Sequence, residues 1–191
     1  MRDHSMLGLK RGTVELFPHE QAWDVQAQQL IDLLWEVLGD AARDIQHVGS
    51  TSITHIYAKP ILDIAVGMDD PEQILAFVSV LEERGVIFRN HGADDEGGLL
   101  FVTGDFEADT RSSHIHVVVW RDKAWYNYIN FRDYLNAVRP QALRYEACKR
   151  ELAARFADDR VRYTEGKGPL ITLLLEQAER WRQGKEEDVC E

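Results

Sequence analysis

Hydrophobic positions in this chain change period several times, and each change marks an element. Residues 14–17, Val14-Glu15-Leu16-Phe17, alternate apolar and polar as a short strand does. Trp23, Ala27, Leu30, Leu34 and Val37 then recur at helical spacing and predict an amphipathic helix of about five turns that stops near Gly39. Residues 45–48 and 61–66 read as strands, the second a nearly continuous apolar run suited to a buried position. Pro71 opens a helix that Gly85 ends, with Ile74, Leu75, Phe77, Val78 and Leu81 as its buried face. Residues 86–89, 99–103 and 115–120 are further strands joined by Gly- and Asp-rich connections. From Lys123 the pattern is helical nearly to the end. Pro140 starts one helix, and Gly168-Pro169 starts another that is buried through Leu170, Leu173, Leu174 and Ala178. A helix, a mixed sheet and a helical C-terminal third make an α+β domain. It is expected over residues 13–183, with a flexible stretch at 1–12 and an acidic flexible tail at 184–191.

Composition narrows the partners. The chain has 191 residues and a formal net charge of −11. That charge argues against general nucleic-acid binding, which depends on Lys and Arg neutralising phosphates. A local cluster can still be positive on an acidic protein, so a small anionic ligand stays open. Cys148 and Cys190 form neither a disulfide framework nor a CxxC metal knuckle, and are expected to be free thiols in a reducing cytoplasm. No apolar run is long enough to span a membrane and the first residues lack a signal-peptide core, which adds to the cytoplasmic expectation. The oligomeric state is left open.

The candidate chemistry gathers in three places. In His47-Val48-Gly49-Ser50-Thr51-Ser52, the glycine permits a tight turn, and such a turn frees backbone N–H groups and the hydroxyls of Ser50 and Ser52 to hold a phosphate. Lys59-Pro60-Ile61-Leu62-Asp63-Ile64 follows. Lys59 and Asp63 lie roughly 13 Å apart along an extended chain, so Lys59 is free to meet a separate anion. Asp63 stands in an apolar strand, where a carboxylate must be paired or hold a metal. His114 and His116, two apart on a strand, project from one face and suit metal binding, phosphate contact or acid–base work. Finally, Arg160 to Gly168 is a polar knot ahead of the last predicted helix, where Tyr163 and Lys167 could reach an anion at the helix N-terminus. Phe131-Arg132-Asp133-Tyr134-Leu135 reads as core packing rather than a stacking platform.

Together these segments resemble the GrpB family. The resemblance runs from about residue 14 to residue 177 and includes the Gly49 turn, the Lys59 to Ile64 strand, His114-Ile115-His116-Val117 and Phe131-Arg132-Asp133-Tyr134-Leu135. It continues through Lys149-Arg150-Glu151-Leu152-Ala153 and Tyr163-Thr164-Glu165-Gly166-Lys167. It implies a nucleotidyltransferase-like fold, a mixed β-sheet with flanking helices. In that superfamily a Gly-Ser turn contacts nucleotide phosphates and strand carboxylates hold divalent metal. Gly49, Ser50 and Ser52 match the turn, and Asp63 matches the first strand acid. Some relatives carry the module fused to a dephospho-coenzyme A kinase, which points to nucleotide or coenzyme metabolism. Two departures stand out. Ala65 occupies the place of a second acid, on the same face as Asp63. Ile53-Thr54-His55-Ile56 replaces the family's usual Val-Pro-Gly-Leu, so a differently shaped loop over the site is expected.

The leading expectation is a pocket for a nucleotide or other phosphorylated small molecule. Gly49, Ser50, Ser52, Lys59, Tyr163 and Lys167 would bind it. Transfer of a nucleotidyl or phosphoryl group would add Asp63, His114 and His116 as catalytic residues, with Mg2+ or another divalent metal on Asp63 and His116. A non-catalytic binding module needs no second acid. A transition-metal hydrolase built on His114, His116 and Asp63 is the third reading.

Overall fold

Seven strands and five helices carry the chain, in a computed structural model that describes residues 7–91 and 98–189. Strand β1 (Leu9–Lys10) precedes helix α1 (Gln21–Leu38) and strand β2 (Asp44–Val48). Strand β3 (Leu62–Met68) leads into a 3-10 helix (Pro71–Phe77) continued by α2 (Val78–Glu83). Then come β4 (Ile87–His91), β5 (Leu99–Thr103), β6 (Thr110–Arg111) and β7 (Ser113–Val119). Helices α3 (Lys123–Ala137), α4 (Arg139–Arg155) and α5 (Arg160–Val189) complete the order.

The main sheet runs β2-β3-β7-β5-β4, with β3 and β7 parallel and the other pairs antiparallel. Alternation along β3 divides its two faces. Leu62, Ile64, Val66 and Met68 join Ile115, Val117 and Phe101 in the largest core, under Trp23, Ala27 and Leu34 of α1. On the opposite face Ala65 packs with Val48, Val118 and Trp125, beneath α3. A separate core holds the helical third together through Tyr134, Leu135, Ala142, Tyr145, Leu174 and Ala178. The expected α+β class is therefore observed: a mixed sheet, flanking helices and a helical C-terminal third. No helix among the described residues is long and apolar enough to cross a membrane.

Several local expectations change. Residues 14–17 form no strand: only Phe17 bridges to Ala58, while Val14 packs on Leu152 and Tyr163. The pairing partner at this end is instead β1, which meets β6 antiparallel and buries Leu9 within the stretch expected to fray. Pro71 does open a helical segment, and the Asp70 carboxylate accepts a hydrogen bond from the Glu72 N–H, but its first turns are 3-10. The last helix begins at Arg160 rather than at Gly168, with Pro169 inside it. A proline usually interrupts a helix because it lacks an N–H and crowds the carbonyl four residues back. Here the preceding turns are held by Tyr163, buried against Val14 and Leu152. The acidic stretch expected as a loose tail is helical as far as Val189.

Candidate functional site

The turn after β2 depends on one glycine. Gly49 has φ +69°, a left-handed conformation, and a β-carbon there would overlap the Asp63 side chain. The 3-10 turn Ser50–Ser52 follows, closed by the Ser52 hydroxyl donating to the Gly49 carbonyl at 2.7 Å. His47 Nε2 lies 2.9 Å from the Thr51 hydroxyl, and burial pushes that imidazole down to about 4. From α3, Arg132 donates to the His47 carbonyl at 3.1 Å and Asn136 donates to the Ser52 carbonyl at 2.9 Å. The Phe131 to Leu135 segment is therefore more than core: it clamps the turn from above. The loop at residues 53–56 does not cover the site. Ile53 and Ile56 plug into the helical core, which is why this stretch takes two isoleucines.

Asp63 sits in register with His114 on the parallel neighbour β7, and Ala65 with His116. Both imidazoles approach one oxygen, Asp63 Oδ1: His114 Nδ1 at 3.4 Å and His116 Nε2 at 3.3 Å. Burial pushes the carboxyl upward, but the hydrogen bonds from His114 and His116 together win and hold it well below the usual carboxylate range. The His116 ring also packs against Tyr128, 5.1 Å between centroids. These residues do not fit a two-magnesium centre. Magnesium asks for several oxygen ligands, whereas the site offers one carboxylate already engaged by two imidazoles. Ala65, where a second acid would stand, is fully buried among apolar side chains. Among the described residues, no three His, Cys, Asp or Glu side chains form a group that could hold a metal ion.

Beyond Asp63 the site opens into a cavity of about 370 Å³ between the sheet and the helical third. Every predicted site residue except Ser52 lines it; Ser52 is turned away, its hydroxyl engaged within the turn. The remaining wall is basic. Burial pushes the Lys59 ammonium down to about 8, helped by the charges of Lys167 and Arg160. Lys149 is driven further, to about 7, by burial first and then by Lys167. Its ammonium donates to the Tyr57 carbonyl at 2.5 Å and lies 4.6 Å from the Tyr145 ring centroid. Lys59 and Lys167 flank the Tyr163 ring at 5.4 and 4.7 Å, and burial raises that phenol. Tyr163 lies in the first turn of α5 and Lys167 one turn further along, so both line the cavity from near the start of that helix rather than ahead of one beginning at Gly168. Among the lining residues that had been given no binding role are Phe131, Tyr145, Lys149 and Arg160. The signal for Lys149 was in the sequence. It falls four residues after Tyr145 and three before Leu152, on the buried stripe of α4, where a lysine is out of place. A larger hollow of about 530 Å³, walled by residues such as Phe17, Leu30 and Val86, lies elsewhere and includes none of these groups.

Fold and site together define an α+β domain with a mixed five-stranded sheet that carries the Gly-Ser turn and one strand acid and lines its cavity with cations. Residues 13–177 match the family described as GrpB protein, and the chain belongs to that family. It is 33% identical over 173 residues to the Glutamate-rich protein GrpB of Alkalihalophilus pseudofirmus, covering 90% of this chain and 99% of that one. Against the UPF0157 protein YqkA of Bacillus subtilis identity is 29% over 172 residues, covering 90% of this chain and 49% of that one. The fold is similar to the crystal structure of the conserved protein GrpB from Enterococcus faecalis, with a TM-score of 0.79 at 22% identity over 87% of this chain and 99% of that one.

Proposed function

We propose that the cavity binds a phosphorylated small molecule, a nucleotide being the form the family resemblance favours, and that the domain works by holding it rather than by transferring its phosphoryl or nucleotidyl group. One observation carries the reading. In a chain of net charge −11, Lys59, Lys149, Lys167 and Arg160 converge on one cavity whose only carboxylate among its lining residues is Asp63. Crowded and desolvated, these cations are relieved by an anion. Gly49 and Ser50 stand at the same cavity and supply the turn's polar groups. Against transfer stands the single carboxylate: metal-assisted phosphoryl chemistry needs oxygen ligands that Ala65 does not provide. The binding reading calls for no divalent ion and for no nucleic acid or membrane partner, and a cytoplasmic location goes with it as part of the same proposal.

The test is calorimetric titration with ATP, GTP, CTP, UTP and coenzyme A, each with and without magnesium, on the wild type, Lys59→Ala and Asp63→Ala. Magnesium-independent binding that Lys59→Ala weakens is the expected result. Binding that requires magnesium and vanishes in Asp63→Ala would hand the site to the transferase reading. No binding at millimolar ligand would overturn the proposal.

A further inference from the structure

A second basic hollow opens beside the first. It measures about 280 Å³ and shares His114, Arg160 and Leu100 with the lysine-lined cavity, so the two are continuous. Its remaining charged wall is Arg11, Arg89 and Arg111. The small β1–β6 ribbon carries Arg11 to this place: its N–H donates to the Asp109 carbonyl at 2.9 Å, two residues along from Arg111. The guanidinium groups of Arg89 and Arg111 both lie over the Phe106 ring, 4.9 and 4.6 Å from its centroid. Arg111 has a side chain only 12% exposed and donates to the Thr110 carbonyl at 2.8 Å. Among the described residues it pairs with the Asp109 carboxylate, 3.8 Å away and half exposed. Among the described residues, no ion pair is formed by Arg11, Arg89 or Arg160.

Resting on the binding reading above, we infer that the ligand carries two separate phosphate groups, one held by Lys59, Lys149 and Lys167 and the other by Arg11, Arg89 and Arg111. Like-charged guanidinium groups repel, and holding several around one hollow is unfavourable unless an anion joins them. Arginine is also suited to the task, because its planar fork matches phosphate oxygens in pairs. Burial and then the charge of Arg89 lower the proton affinity of Arg111, and the Asp109 carboxylate offsets them only in part. Spacing separates the two groups. Asp63 on β3 lines the first hollow, Val102 on β5 lines the second, and His114 on β7 between them lines both. Two strand spacings of about 4.8 Å place Asp63 and Val102 roughly 10 Å apart. Phosphates seated in the two hollows are then farther apart than one bridging oxygen spans. His114, shared by both hollows, stands between the two anions.

The experiment compares AMP, ADP and adenosine 3′,5′-bisphosphate by calorimetry on the wild type, on an Arg11→Gln/Arg89→Gln double variant and on Lys59→Ala. Both arginines are exposed, and circular dichroism confirms that the variant is folded. The bisphosphate is expected to bind the wild type at least tenfold more tightly than AMP or ADP. The double variant should bring that ratio to about two or less, while Lys59→Ala weakens all three. A bisphosphate no tighter than ADP, or an advantage over AMP that survives in the double variant, overturns the second site and leaves the first standing if Lys59 dependence persists. No binding by any of the three to the wild type overturns both.

Discussion

Replacing Gly49 with alanine isolates the contact that joins the turn to the acid. Two costs arise there. A non-glycine residue at φ +69° carries a backbone penalty of about 1–2 kcal/mol. The new methyl would also overlap the Asp63 side chain, with its β-carbon at 2.7 Å and its carboxyl carbon at 2.9 Å, and forced overpacking costs about 1–3 kcal/mol more. Gly85 provides the control. It has φ +80° at the end of α2, and a β-carbon there meets nothing within 4 Å. Gly85→Ala should therefore lose only the backbone share, and Gly49→Ala should lose roughly 2–5 kcal/mol. Urea denaturation with an unchanged slope reads both values. Combining Gly49→Ala with Asp63→Ala removes the carboxylate from the overlap, so the two losses should fall short of additive by about 1 kcal/mol or more. Equal losses at Gly49 and Gly85, or strict additivity in the double variant, would refute the claim that this glycine is required by the aspartate.

Three further outcomes follow from the same geometry. The lowered proton affinities of Lys149 and Lys59 mean that, above about pH 7, the native protein releases protons the unfolded chain still holds. The burial penalty is fully present below that point and fades toward pH 10, so stability should rise by up to about 1.4 kcal/mol per pH unit for each lysine. Lys149→Met should remove its share of that slope in denaturation curves taken across the range, and a flat wild-type profile would contradict the assignment. Ala65→Asp should destabilise by about 3–5 kcal/mol, since it places an unpaired charge among Val48, Val118 and Trp125. A stable variant that binds magnesium in calorimetry would show that the layer is less closed than described. Ser52→Ala should lose about 1 kcal/mol by removing the bond to the Gly49 carbonyl, read by the same denaturation assay; an unchanged midpoint would count against the closing role of that hydroxyl.

What the sequence made legible was local in origin. Helix α1, strands β2, β3, β5 and β7 and the sidedness of His114 and His116 all follow from period and turn residues within a few positions. The misreadings occurred where a distant partner decided the outcome. Val14 to Phe17 alternates like a strand, yet Val14 is drawn to Leu152 and Tyr163 and only Phe17 makes a bridge, to Ala58. Leu9 and Lys10 carry little pattern and pair because β6 passes beside them. Pro169 marks a helix start by its chemistry alone, and tertiary packing of Tyr163 overrides it. Lys59 and Lys167 could be named singly, but their convergence with Lys149 and Arg160 was hidden for the same reason. Lys59 precedes β3, Lys149 lies on α4, and Arg160 and Lys167 on α5, so no window of sequence contains the cluster that the fold assembles.

The motif at the heart of the resemblance has a mechanical logic that does not depend on a metal. Asp63 Oδ1 receives both histidines, while the other side of the carboxylate presses on the α-carbon of Gly49. Turn, acid and imidazoles are thus one interlocked unit, and each part fixes the position of the next. Such a unit sets the backbone of Gly49 and Ser50 at the cavity wall with little freedom, and a preorganised wall lowers the entropy lost when an anion binds. The same engagement limits what Asp63 can offer a hard cation, because a ligand oxygen for magnesium would have to be taken from His114 and His116. With Ala65 sealed into the apolar layer, the positive charge that the proposed phosphate would meet comes from the protein itself, from Lys59, Lys149, Lys167 and Arg160. Lysines and an arginine then fill the charge-neutralising part that divalent ions fill in metal-dependent phosphoryl chemistry, which suits an arrangement built to retain a phosphorylated molecule more than one built to cleave it.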